Sequence, residues 1–222
     1  MSNYDINKNP ELVKQLLEQY KKPEEESKND PNSVLWDFKQ ELLNLGFQFQ
    51  VLNQAEALMP RYKDIVLPIA INYYKKAKLR NEKRYLQKWF YHKGLEEVVP
   101  MLIEEFCSDN PNIDKWAIGD CLYKIHSKKY IDDYLKIISD SSYGRDRQMV
   151  VSLVGKLKVE KAIPILIDLL EDETVRLHAI TALGDFKREA FRPYFERFQD
   201  SKQPGWRKCA RAALKKLEPK EE

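Results

Sequence analysis

From Lys161 to Phe186 the apolar positions recur with the period of a helix. Ile163, Leu166, Ile167 and Leu170 fall at i, i+3, i+4 and i+7, and Val175, Ala179, Ala182, Leu183 and Phe186 follow the same rule after a short acidic turn. That spacing gives each of two helices one buried face. Pro164 sits where a first helical turn tolerates a missing N–H, and Asp172 is the expected N-cap of the second helix. The unit is a helical hairpin. Residues 190–217 repeat it, with Pro193, Asp200, Arg207 and Ala213-Leu214 taking the places of Pro164, Asp172, Arg176 and Ala182-Leu183. Towards the N-terminus, Asp133, Pro100 and Pro68 mark the same phase, so the markers 68, 100, 133, 164 and 193 step by 32, 33, 31 and 29 residues. A period of this size predicts an all-α chain, an α-solenoid of about five stacked hairpins over residues 61–222, because one hairpin cannot cover its own apolar face.

Residues 1–60 are expected to cap that right-handed superhelix. Asn9 reads as the cap of a helix over 11–22, residues 22–33 as a charged linker bracketed by Pro23 and Pro31, and 33–46 and 49–59 as two more helices, the first ending near Gly46. With 43% hydrophobic and 33% charged residues, the chain has the composition of a soluble globular protein. The first residues, MSNYDINKNPELV, carry no signal-peptide pattern, and the most apolar run, Ile65–Ile71, is too short for a bilayer. Cys107, Cys121 and Cys209 are odd in number and scattered, which suits reduced thiols. A cytoplasmic protein without membrane association is expected.

The pattern of a proline-led aliphatic helix, an aspartate turn and then V-R-x-x-A-x-x-A-L-G resembles the HEAT repeats, particularly the short bacterial form named after phycobilisome lyases. Val175, Arg176, Ala179, Ala182, Leu183 and Gly184 carry the likeness best, followed by Trp206, Arg207, Ala210, Ala213 and Leu214. It covers about two-thirds of the chain and implies a scaffold. Nothing in the chain suggests a lyase's chromophore residue.

Charge is uneven. Residues 1–60 hold six basic and ten acidic side chains, a balance of −4, whereas Lys75–Lys93 alone holds eight Lys/Arg against Glu82. Lys75, Lys76, Arg84 and Lys88 could neutralise phosphates, and exposed Tyr85 or Trp89 could stack on bases. Alternatively Leu86, Trp89 and Phe90 are core and the lysines a solvated face. A smaller basic group, including Arg207 and Lys208, lies on the last helix. No phosphate loop, dinucleotide fingerprint, zincin motif or serine elbow occurs, and His92, His126 and His178 are far apart, so no cofactor and no metal site are expected.

Trp116 and Asp120 lie four residues apart, on one face of a second helix. The segment resembles, in part, the HEAT-like alkylpurine DNA glycosylases. Their Trp-x-x-x-Asp pair faces the damaged nucleotide, the aspartate steadying positive charge on the sugar. The resemblance makes Asp120 the catalytic candidate and Arg147 a phosphate-binding residue, but that family's other concave tryptophan corresponds here to about Thr181. The plainer reading pairs Asp120 with Lys124 at i+4. It also makes Lys115, Arg147, Arg176 and Arg207 a structural ladder to the turn aspartates Asp140, Asp172 and Asp200. The expected function is a non-enzymatic scaffold holding a protein partner on the concave face of the second helices, lined by Arg84, Lys88, Trp116, Asp120, Gln148, Ser152, Thr181 and Lys208. The alternative is a nucleic-acid-binding solenoid using Lys75–Lys93 and Arg147, with base excision at Asp120.

Overall fold

The computed structural model describes residues 10–218, and among them every regular element is a helix. Asn9, expected as a cap, lies outside the described residues. The described residues form two compact units, one ending at His92 and one beginning at Lys93. The sequence reading draws its boundary at 60/61.

The first unit holds α1 (Pro10–Ser27), α2 (Leu35–Asn44), α3 (Leu52–Ala55), α4 (Lys63–Lys76) and α5 (Arg80–Gln87). The hairpin α4–α5 shares its core with the earlier helices, because Phe38 of α2 packs 5.2 Å from Tyr73 and 4.8 Å from Trp89, ring centre to ring centre. The segment expected as a charged linker is helical through Ser27, and Pro23 lies on its exposed side. Two buried polar groups hold it there. Glu24, 2% exposed, accepts the N–H of Leu52 at 2.7 Å and the Lys39 ammonium at 2.8 Å. Ser27 Oγ accepts the N–H of Trp36 at 2.9 Å and meets Ser33 Oγ, whose hydroxyl donates to the buried carboxylate of Glu82. Glu82 thus serves the N-terminus of α2 from α5. Pro68, read as a helix-start marker, sits well inside α4.

The second unit is a row of hairpins: α6 (Val99–Cys107) with α7 (Lys115–Ile125), α8 (Ile131–Ser139) with α9 (Gln148–Lys156), α10 (Ile163–Asp168) with α11 (Arg176–Asp185), and α12 (Arg192–Glu196) with α13 (Pro204–Lys215). Pro100, Pro164 and Pro193 each stand in the first turn of their helix, as expected. The second helices pack side by side, α7 on α9, α9 on α11 and α11 on α13. Small residues make that possible. A Cβ at Gly155 would lie 2.4 Å from the Cα of Ala182, and one at Gly184 would lie 2.9 Å from the Cβ of Ala213.

Two sets of polar contacts tie the row. Arg147, Arg176 and Arg207 turn inward and bind the carbonyls that end the preceding helix or its turn: Ile138 O at 2.6 Å, Leu170 O at 2.5 Å and Ser201 O at 2.7 Å. They supply the donors that helix C-termini lack. The ladder expected from the sequence therefore exists, but its rungs are mainly carbonyls. Of these three arginines only Arg147 pairs with a turn aspartate among the described residues, Asp172 of the next hairpin. Asp140 accepts from the Ser142 N–H, and Lys115 lies 4.8 Å above the Tyr143 ring. Asp172 does not cap α11. Its Oδ1 accepts from the N–H and hydroxyl of Thr174 ahead of the helix. Along the opposite ends of the hairpins, ion pairs join successive loops: Glu96 with Lys129, Asp132 with Lys161, Glu160 with Arg188, and Asp185 with Lys216.

Three expectations follow. Gly155→Ala should lower the unfolding free energy by about 2 kcal/mol in urea titrations, because overpacking outweighs the intrinsic helix gain of alanine, whereas Gly119→Ala, whose Cβ would stand 3.3 Å from Met149, should be near neutral. Arg147→Met should cost roughly 2–4 kcal/mol by leaving the Ile138 and Gly144 carbonyls and Asp172 without their donor. Burial pushes the Asp172 carboxyl up, but the Thr174 hydrogen bonds, Arg147 and Arg176 together hold it below its ordinary value. Its contribution is therefore full above about pH 4 and is lost as pH falls through the depressed folded value. Acid denaturation of Asp172→Asn should show a shallower loss in that window.

Candidate functional site

The close packing of the second helices decides which of their residues can face outward. Ala182 and Ala213 are consumed by the contact between helices, and Ile118 and Val151 are buried. What remains is a row of half-buried side chains running from hairpin to hairpin: Trp116 and Asp120 on α7, Gln148, Met149 and Ser152 on α9, Leu177 and Thr181 on α11, with exposed Lys208 on α13.

Polar bonds hold one end of this row. The indole N–H of Trp116 donates to Gln148 Oε1 at 3.1 Å, and Gln148 Nε2 donates to Thr174 O at 2.6 Å. One aromatic ring is thereby fixed at the surface by groups from three successive hairpins. Leu177 continues the row towards α13, its Cδ1 lying 3.0 Å from where a Gly205 Cβ would stand. Asp120 makes no hydrogen bond or ion pair among the described residues, with Lys124 or any other group. Its charge is felt by Cys121, whose thiol is raised by burial first and by Asp120 second. Thr181 spends its hydroxyl on Leu177 O at 2.9 Å.

The other sequence candidates fare differently. Arg147 is 1% exposed and bonds Ile138 O, Gly144 O and Asp172, so its guanidinium is committed within the fold and offers nothing to a phosphate. Trp89 and Phe90 are fully buried, which removes Trp89 as a stacking platform, and Tyr85 is half-buried, with burial pushing its hydroxyl's pKa up. Lys75, Lys76, Arg84 and Lys88 are exposed in the first unit, Lys76 lying 5.0 Å from the Tyr73 ring and Lys88 5.6 Å from the Tyr85 ring. Ser152 and Lys208 keep their predicted places on second helices. Sequence reasoning missed Met149 and Leu177. Both sit one position beyond the inward stripe, and their type alone marks them as core.

Among the described residues, no group of three or more His, Cys, Asp or Glu is placed to hold a metal ion, and no helix is long and apolar enough to cross a membrane. All three cysteines are free thiols. Comparison with curated proteins returns no match. The family model for HEAT repeats matches residues 131–215, the span from α8 to the end of α13 and thus the last three hairpins. By that match residues 131–215 are similar to HEAT repeats.

Proposed function

We propose that the protein is a non-enzymatic HEAT-repeat scaffold that holds a protein partner on the second-helix face of residues 115–215, in the cytoplasm. The observation that carries this reading is the tethered indole of Trp116, bonded through Gln148 to Thr174. A rigid, half-exposed tryptophan flanked by Met149 and Leu177 has the character of an interface anchor, since large aromatics immobilised before binding lose little entropy on association. Repeat arrays offer such extended surfaces routinely. The free thiols suit a reducing compartment.

A second reading keeps one supporting observation. The carboxylate of Asp120 is half-buried and uncompensated on the same face as Trp116. That arrangement suits stabilisation of a cationic transition state in base excision. The commitment of Arg147 to Ile138, Gly144 and Asp172 weighs against it.

The tests separate the two. Immobilised protein and its Trp116→Ala variant, shown by circular dichroism to fold alike, are compared for stoichiometric capture of a partner, and the complex is then rebuilt from purified components. The scaffold reading expects the variant to bind at least about 30-fold more weakly, as for an interface anchor; equal binding rejects it. In parallel, a labelled DNA duplex is titrated at low and near-physiological salt, and an alkylated duplex is assayed for base release with wild type and Asp120→Asn. Release that disappears in Asp120→Asn would establish the second reading.

A further inference from the structure

The edge formed by the loops that follow the second helices carries lysines the fold does not use. Lys128, Lys158 and Lys187 recur at steps of 30 and 29 residues, one per loop, all exposed. None makes a side-chain hydrogen bond or ion pair among the described residues. Their neighbours Lys129, Lys161 and Arg188 do, in the ladder from loop to loop. That ladder fixes the loops on one edge and neutralises the carboxylates Glu96, Asp132 and Glu160. The lysines left over are the uncompensated charge.

The backbone adds an independent sign. Lys158 (φ 53°) and Lys187 (φ 55°) occupy the left-handed position that ends a helix. At Lys158 the closing bonds are Lys158 N–H to Gly155 O at 2.9 Å and Val159 N–H to Val154 O at 3.0 Å. Glycine serves this position best, and Gly46 serves it after α2 with φ 89°. Lysine is strained there. In the loop of Lys128 that position is held by His126 (φ 63°), and in the next two repeats it falls to an exposed, unpaired lysine.

Between the loops at 128–132 and 157–161 lies a groove of about 500 Å3 with Ile131, Leu157 and Val159 among its lining. Free Lys128 and Lys158 stand at it, as do the paired Asp132 and Glu160. We infer that this edge binds an extended acidic peptide segment of a protein partner, one acidic side chain per repeat, with apolar residues of the peptide over the grooves. Packed helices stand about 8–10 Å apart. A polyproline-type peptide brings every third side chain to one side at intervals of about 9 Å, which matches that spacing. Nucleic acid fits less well, because its phosphates are continuous and would meet Asp132 and Glu160 between the lysines. The inference goes beyond the second-helix face and does not depend on it.

The experiment is an anisotropy titration with a fluorescein-labelled (Glu-Pro-Pro)4 peptide, its (Gln-Pro-Pro)4 counterpart, a 20-base-pair DNA duplex and phosphatidylserine vesicles. The variant is Lys128→Ala/Lys158→Gly/Lys187→Gly, in which glycine relieves the strained positions, so loss of binding cannot be ascribed to unfolding. Expected are saturable binding of the glutamate peptide that weakens as salt rises, and a loss of at least about tenfold for both the glutamine peptide and the triple variant. The thermal midpoint of the variant should be equal or higher. Equal binding of the two peptides, unchanged binding by the variant, or preference for the duplex or the vesicles would overturn the inference.

Discussion

The second unit depends on how near its second helices come to one another. Where α9 meets α11, Gly155 leaves no room for a single methyl group above Ala182, and Gly184 stands almost as close to Ala213. Backbones that near permit only small residues at the seam, and they fix the rotation of each helix about its axis. With 3.6 residues per turn, fixing the seam also fixes everything else. Val150, Val151 and Val154 go to the core, and Gln148, Met149 and Ser152 go outward. The outward row is therefore a consequence of the inward one.

The first helices pose the complementary problem. α10 and α12 span six and five residues, far below the length at which an isolated helix holds together in water. Their ends have few carbonyls already satisfied. Arg176 and Arg207 reach back from the second helix to supply donors there, and Arg147 does so for α8. Arg176 is further pinned by Trp206, whose ring lies 4.2 Å from the guanidinium. Much of the positive charge written into this part of the chain is thus spent on helix ends and on pairs between loops. Net charge is a poor guide to what remains for a partner, and the side chains that count are those left after the fold's own needs are met.

The hairpins were legible because two signals coincide, the helical period of the apolar residues and the punctuation by Pro100, Pro164, Pro193 and Asp133 near helix starts. Where the punctuation appeared alone it misled: Pro68 lies inside α4, and the prolines and charges of 22–33 hid a helix reaching Ser27. The buried acids explain that failure. Glu24 and Glu82 read as solvent-facing by type, and their burial depends on Leu52, Lys39 and Ser33, which lie 15 to 49 residues away. Arg147 failed as a site for a similar reason, since its direction depends on carbonyls that the sequence does not mark. Helical spacing put Trp116 and Asp120 on one face, but the bond from Trp116 to Gln148 spans 32 residues and needed the stack. The spacing of Lys128, Lys158 and Lys187 went unread in the sequence, and the left-handed backbone of Lys158 and Lys187 was hidden there, because lysine is not a residue that announces a turn.

The two surfaces of the second unit differ in physical kind. The row around Trp116 offers an immobilised ring and sulfur and aliphatic groups, with Asp120 and Lys208 at its margins. Interactions of that sort act at short range, are nearly indifferent to salt, and set how long a complex lasts. The loop edge offers exposed cations on flexible stems. Those act over about a Debye length, weaken as ionic strength rises, and govern how often a partner arrives and in which direction it lies. A polypeptide recognised by both would dissociate faster when Trp116 is truncated and associate more slowly when the lysines are removed. Kinetics at two salt concentrations therefore resolve the contributions of the two surfaces, which an affinity measured at one would merge.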